Sequence, residues 1–300
     1  MGTRIIIPTT FTAPGRKVYD DASMDAGTIW LFDPSHSMGA FSGVPANGAA
    51  IPNVARNRAL AIIGAGAGGA GTFRTQRESA AALVMERTSK GGLHIASSHS
   101  AQTTENYGYI EPPAAIKQYM HGRLPAAATG FYVSFWLRVT RAQVATAAAA
   151  SCGHYINVDA AATSNYLFHT QGLGPTVGGS LGANVSTTAV NSPSLLQLGC
   201  SAWVGSKPTS YDRGELILGG AGAFSAWGYF NVNKAPSLIL YKVKVEDLAL
   251  CKRSNGGAGG TLAEEYAAAY AADLADFTAA FAAGGKFYND TWTAAATLCP

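Results

Sequence analysis

Gly64, Gly66 and Gly69 follow Leu60-Ala61-Ile62-Ile63, which is the G-x-G-x-x-G spacing after an apolar run. Glycines at that spacing let a strand turn tightly into a helix whose N-terminus accepts a pyrophosphate. Such a unit also needs an acidic residue at the end of the next strand, about 20 residues on. The next strand candidate, 93–97, ends in Ser97-Ser98-His99, and Glu86 stands in a poor strand context. The segment therefore reads as an Ala/Gly loop, and no cofactor is expected.

Other reactive side chains are scattered. The histidines are His36, His94, His99, His121, His154 and His169, with no H-E-x-x-H among them. Cys152, Cys200, Cys251 and Cys299 lie about 50 residues apart, whereas a zinc site needs closely spaced ligand pairs. Buried thiols are the expected state. Asp33, Asn157, Asp159 and Asn165 could offer oxygens to calcium, but they are not clustered in sequence. Asp20/Asp21, Glu246/Asp247 and Glu264/Glu265 are acidic pairs. Glycosidase chemistry needs two carboxylates converging across a cleft, which sequence alone does not decide, and Glu264/Glu265 are better explained by a helix N-terminus. No G-x-S-x-G elbow occurs. The expectation is a chain with no catalytic residues and no metal, hence not an enzyme.

The elements that would position any site read as β-structure. Phe131-Tyr132-Val133-Ser134-Phe135-Trp136-Leu137-Arg138-Val139 alternates with period 2, its odd-numbered face wholly apolar. Leu238–Leu248 is a second strand, with Ile239, Tyr241, Val243 and Val245 expected inside. Lys242, Lys244 and Glu246 are expected on a wet face. Leu93–Ser97 and short runs at 153–158, 165–169, 194–199, 215–218 and 226–232 complete a pattern of many short strands. Near the end, Thr261 with Glu264 forms a capping-box signature. Leu262, Tyr266, Tyr270, Leu274, Phe277 and Phe281 follow at helical spacing, and Gly284-Gly285 stops the helix. The expected fold is mainly β: an antiparallel jelly-roll β-sandwich with an extended N-terminal arm and one C-terminal amphipathic helix. The expected divisions are an arm at 1–58, a sandwich at 59–253, and a linker, helix and tail at 254–300 packed on it.

Composition points outward. Charged residues make up 13% of the 300 residues, about half the usual share, and the net charge is +3. There is no basic stripe with interleaved aromatics, so nucleic acid is not an expected partner. No apolar stretch approaches the roughly 18 residues of a membrane span, and none resembles a secretory leader, so no membrane partner is expected either. Interfaces are depleted of charge at their cores. A surface this poor in charge suits a protein covered by other subunits.

Three blocks carry a resemblance. Phe131–Arg138 resembles the apolar-x-apolar-Ser-apolar-Trp strand of laminin-G and concanavalin-A-like jelly rolls. Pro236–Leu248, followed by Ala280–Trp292, is similar to the closing segment of tailed-bacteriophage virion proteins with a lectin-like fold. Trp30–Pro34, Gly43–Gly48, Ile51–Asn53 and Ser89–His94 are similar to the opening of the same group. The resemblance implies a structural component of a phage particle, either a head decoration protein or a tail or head fibre subunit. It implies synthesis in the host cytoplasm, residence in the virion, contacts with other capsid or tail subunits, and a homo-oligomer. The alternative it implies is a carbohydrate-binding module for host attachment. Trp203, Tyr211, Trp227 and Tyr229 are then the exposed aromatics expected to face a glycan. Under the structural reading the N-terminal segment makes the contact, and a chain lacking residues 1–50 is expected to keep a folded sandwich.

Overall fold

A computed structural model gives the fold and describes residues 21–37, 43–76, 79–101, 106–124, 128–142, 153–155, 168–171, 174–177, 190–203, 215–221 and 236–300, with isolated positions between them. The elements in order are β1 (Thr28–Phe32), β2 (Ala50–Ile51), α1 (Arg56–Ile63), β3 (Gly71–Gln76), β4 (Leu83–Arg87), β5 (Leu93–Ser97), β6 (Asn106–Glu111), α2 (Ala114–Arg123) and β7 (Phe131–Arg141). There follow β8 (Gly153–Tyr155), β9 (Phe168–Gln171), β10 (Gly174–Val177), β11 (Pro193–Cys200), β12 (Glu215–Ala221), β13 (Ser237–Asp247), α3 (Leu248–Cys251), α4 (Leu262–Phe281) and α5 (Ala295–Leu298). Among the described residues no helix is long and apolar enough to cross a membrane.

The chain is an antiparallel β-sandwich. One sheet has the order β11-β7-β13-β5-β4 and the other β2-β3-β6-β12-β8, while β9 and β10 form a separate hairpin. The core lies between the two sheets. Phe131, Val133, Phe135, Leu137 and Val139 of β7 fill it from one side, as alternation predicts, and Ile51, Phe73 and Ile110 close it from the other. The α2 residues Ile116 and Met120 plug one end.

β13 is the spine of the six-stranded sheet. One of its edges pairs with β7 along its whole length. Its other edge is shared end to end, by β5 at Leu238–Leu240 and by β1 at Val243–Glu246. A bulge at Tyr241 breaks the alternation, because Leu240 faces Leu137 while Lys242 faces Trp136. Leu238 and Leu240 therefore point to the core before the bulge, and Val243 and Val245 after it. Ile239 and Tyr241, expected inside, lie on the outer face with Trp136 and Phe287.

The N-terminal boundary differs from the sequence reading. Residues 28–32 are a buried strand of the sandwich rather than part of an arm. The edge of β1 away from β13 is closed by one side chain. Asn53 accepts from Leu31 N at 3.0 Å and donates to Ile29 O at 3.0 Å, and Val54 N bonds Leu31 O at 2.9 Å. A side-chain amide thus supplies the hydrogen bonds of a missing strand neighbour. Just before β1, Gly27 lies so close to β13 that a Cβ there would stand 2.3 Å from Asp247 O.

The expected helix forms with its capping box intact, Thr261 Oγ1 accepting from Glu264 N and Glu264 accepting from Thr261 N. Its inward face differs from the predicted stripe. Tyr266, Tyr270, Phe277 and Phe281 pack on the sheet, but Leu274 is 39% exposed and Asp273 is fully buried. Four further helices, α1, α2 and the single-turn α3 and α5, have no counterpart in the sequence pattern. Leu60–Ile63 is the last turn of α1, so the glycine run follows a helix and leads into β3. That order is the reverse of a dinucleotide-binding unit. Gly64 ends α1 at φ 93°, where its N–H reaches Leu60 O.

Residues 286–300 run as a strap over β4 and β5. Lys286 Nζ meets Asp33 at 2.9 Å. Asp290 accepts from Lys90 N at 2.7 Å and from Tyr241 OH at 2.8 Å. Ala295 and Cys299 pack on Ala96.

Trp30 and Phe32 are fully buried in the core, and each such side chain is worth about 1.5–3 kcal/mol. A chain lacking residues 21–58 is expected to lose its cooperative thermal transition. A wild-type Tm in that deletion would refute the place of β1 in the sheet.

Candidate functional site

The outer face of the six-stranded sheet gathers most of the chemistry-bearing residues that the described part of the chain buries. Lys244 and Glu246 are not on a wet face, being 1% and 0% exposed. They stay charged beneath α4 because Asp273 descends from that helix to meet them. Lys244 Nζ is 3.5 Å from Asp273 Oδ1 and 3.4 Å from Glu246 Oε1. Tyr132 OH donates to Asp273 Oδ2 at 2.8 Å, and Trp136 Nε1 donates to Oδ1 at 3.0 Å. Lys242 Nζ sits 4.1 Å from the centre of the Trp136 ring and bonds Ser23 Oγ at 3.0 Å. Isolated buried charges are very costly, so each must have partners.

Arg253 closes the other end of the network. Its two terminal nitrogens grip Glu246 at 2.6 and 2.9 Å, and its Nε lies 3.0 Å from Asp25 Oδ2. Asp25, Glu246 and Cys251 present ligand atoms within 4.8 Å of one another, a set that could in principle hold a cation. The guanidinium already occupies the cationic position between the two carboxylates. The donor set therefore fits an ion pair, not a metal.

Burial opposes ionisation of Glu246 and Asp273. Lys244 and Arg253 outweigh it at Glu246, and Lys244 with the Tyr132 hydroxyl outweighs it at Asp273, so both carboxyls are held below their usual range. Asp25 goes the other way, raised by burial and by the nearby Glu246 charge. Lys244, penalised by burial, is held above its usual value by Glu246 and Asp273. None of these groups meets solvent well enough to act on a substrate.

A second cluster lies on the same face towards the strap. Glu86 and His94 are opposite each other in the β4–β5 register, and His94 Nδ1 is 2.9 Å from Glu86 Oε1. His94 Nε2 is 2.9 Å from Thr140 Oγ1 on β7. Neither the histidine spacing nor the acidic pairs in the sequence signalled this grouping, because its members come from three strands.

A hollow of about 710 Å³ opens between Ala128, Leu248, Lys252, Gly259 and Leu262. Its acid, Glu265, is already saturated by Arg253 N, Ser254 N, Ser254 Oγ and Gly260 N. The remaining lining is mostly apolar and small.

The aromatics expected to face a glycan are not brought together. Trp203 is 7% exposed, stacks edge-on against His121 at 5.7 Å and donates Nε1 to Leu124 O at 3.3 Å. It is a core residue, because its ring completes the apolar contacts of α2 and its N–H finds a backbone acceptor. Tyr211, Trp227 and Tyr229 lie outside the described residues. Cys200, Cys251 and Cys299 are buried free thiols, while Cys152 lies outside the described residues. Asp33, a candidate calcium ligand, is buried and bonds Ser35 and Lys286, and Asn157, Asp159 and Asn165 lie outside the described residues.

The outward surface is different in kind. The solvent side of α4 presents Ala263, Ala267, Ala271, Ala275, Ala279 and Thr278, with Leu274 beside them. Glu264 is the one fully exposed charge on this helix, and it serves the cap.

No protein-family profile matches the chain, and no curated protein does. Among solved structures, the K1 cleaved adhesin domain of Lys-gingipain from Porphyromonas gingivalis W83 is similar at 9% identity over 59% of this chain and 90% of that one. Its TM-score is 0.20, too low to carry an argument.

Stability should follow the network. Glu246 and Asp273 have depressed folded-state values, so their contribution is complete above the unfolded values of 4.5 and 3.8 and is lost as pH falls through the folded ones. The raised Asp25 and Asp276 oppose this trend, while the lowered Asp21 and Glu86 add to it. Urea melts should show stability falling below about pH 4.5. Asp273→Ala should cost about 3–5 kcal/mol at pH 7, because it leaves Lys244 short of a counter-charge. A loss under about 1 kcal/mol, the range of exposed pairs, would contradict the buried pairing.

Proposed function

We propose that this chain is a structural subunit of a bacteriophage particle, held there through protein–protein contacts. The observation that carries the contact reading is the solvent side of α4. Over 20 residues it offers alanine, threonine and one leucine, with the cap Glu264 exposed and Asp276 half-buried as its other acid towards solvent. Such a helix loses little charge hydration when another subunit covers it, and its small side chains permit close backbone approach. The charges that β13 and α4 carry at their junction face inward, which leaves the exterior poor in them.

The phage assignment is supported by the sequence resemblance. Its blocks fall on β1, β5, β7 and β13 of the six-stranded sheet, on the strap that covers it, and on the segment 43–53 that leads into and contains β2 of the other sheet. Most of the residues that look familiar therefore build the six-stranded sheet and its cover. The N-terminal segment was the first expected contact. With β1 inside the sheet and Ile51, Val54 and Ala55 packed in this chain's own core, α4 becomes the better surface. The glycan alternative draws no support from Trp203, which is buried.

The proposal is tested on virions purified from the producing host, by immunogold labelling against this chain and negative-stain imaging. Label at one fixed head, neck or fibre position is expected, and purified particles lacking the chain would refute the assignment. Ala271→Arg with Ala275→Arg should reduce incorporation about tenfold or more while leaving the melting curve unchanged, since each buried, unpaired charge costs well over 1.4 kcal/mol. Wild-type incorporation of that double variant would rule out α4 as the contact.

A further inference from the structure

The outer face of β4, β5 and β7 brings a hydroxyl, an imidazole and a carboxylate into line. His94 is fully buried, with Nδ1 2.9 Å from Glu86 Oε1 and Nε2 2.9 Å from Thr140 Oγ1. An ionised carboxylate only accepts, so Nδ1 carries the proton. Burial holds the His94 pKa below its usual 6.5, against the pull of Glu86. The neutral ring then presents a lone pair at Nε2, and the Thr140 hydroxyl must donate to it. This is the order of groups that activates an alcohol for attack.

The carboxylate is itself fixed. Thr293 N donates to Glu86 Oε1 at 2.7 Å and Thr293 Oγ1 to Oε2 at 2.9 Å, so the strap holds Glu86 in place. Arg138, two residues before Thr140 on the same face, lies 4.8 Å from the centre of the Trp292 ring. It donates NH1 to Asn191 O, while its Nε has no hydrogen-bond partner. Thr140 is partly exposed, and Arg141 follows it.

We propose that Thr140 is an activated nucleophile towards carboxylic esters, with His94 as general base and Glu86 orienting the ring. Arg138 and Arg141 favour an acyl group that bears a negative charge. In the first step the Thr140 Oγ–H proton moves to His94 Nε2, Oγ bonds the ester carbonyl carbon, and the bond from that carbon to the leaving oxygen breaks. The leaving alkoxide takes the proton from Nε2. Water then repeats the sequence on the acyl-threonine, its proton passing through Nε2 to Thr140 Oγ, and releases the acid. The inference stands independently of the particle assignment.

The test is labelling of the intact chain by a fluorophosphonate probe, with the modified residue located by peptide mass spectrometry. Label on Thr140 is expected, with a rate about 100-fold lower in His94→Gln, the scale of a general base. Thr140→Val should lose the label and Thr140→Ser should keep it, which separates reactivity from folding. The labelling rate should rise with pH as His94 loses its proton, in a field set by Glu86, Arg141 and Asp290. No label on Thr140 in the wild-type chain would overturn the proposal. So would an unchanged labelling rate in a His94→Gln chain with a wild-type melting curve.

Discussion

Asp273 sets the terms on which α4 and the six-stranded sheet can meet. A lysine and a glutamate two residues apart on β13 would be wet in an uncovered sheet. Here they are covered, so the covering helix must bring a charge at one defined position. The carboxylate of Asp273 accepts from Tyr132 and Trp136 and faces Lys244, which ties the helix to β7 and β13 together. Arg253 extends the same chain of charges to Asp25 and so to the segment that leads into β1. Apolar contacts supply the driving force for this junction, but the ion pairs fix its register. A shift of α4 by one residue would strand at least one of them in a dry interior, at a cost comparable to a large part of total stability.

Much of the sandwich was legible from alternation. The strand at 131–139 and the capped helix at 262–281 follow from period and cap chemistry alone, and both occur where those signals place them. The errors share a cause. Hydrophobic periodicity assumes that charge marks solvent, and Lys242, Lys244, Glu246 and Asp273 all violate that assumption. The same assumption put Leu274 in the stripe and left Asp273 out. The bulge at Tyr241 could not be read because nothing local demands it; it is set by the partner strand. β1 reads as part of an arm because its Asp-Pro exit and the loop beyond it look extended. What makes it a strand is its distant partner β13 and the side chain of Asn53, neither of which is visible in a window of ten residues.

The candidate site was not legible for a related reason. Glu86, His94 and Thr140 belong to three strands and are joined only by sheet order, which places β4, β5, β13 and β7 side by side in that succession. Trp203 shows the opposite failure. An aromatic in a polar stretch reads as a surface platform, but a ring that large finds more contact under α2 than in water.

The sharing of one β13 edge by β1 and β5 bears on how the chain is made. β13 follows β1, β5 and β7 in the order of synthesis, yet all three pair with it. Until residue 247 has left the ribosome, β1 has no sheet to join, and the β4–β5 hairpin cannot be linked to the β7–β11 pair. More than 200 residues separate Thr28 from its partner Glu246. Closing so long a loop is slow, and the apolar face of β7 is uncovered while it happens. The six-stranded sheet can therefore close only once β13 has been made, and its strands from distant parts of the chain are brought together by that one late partner.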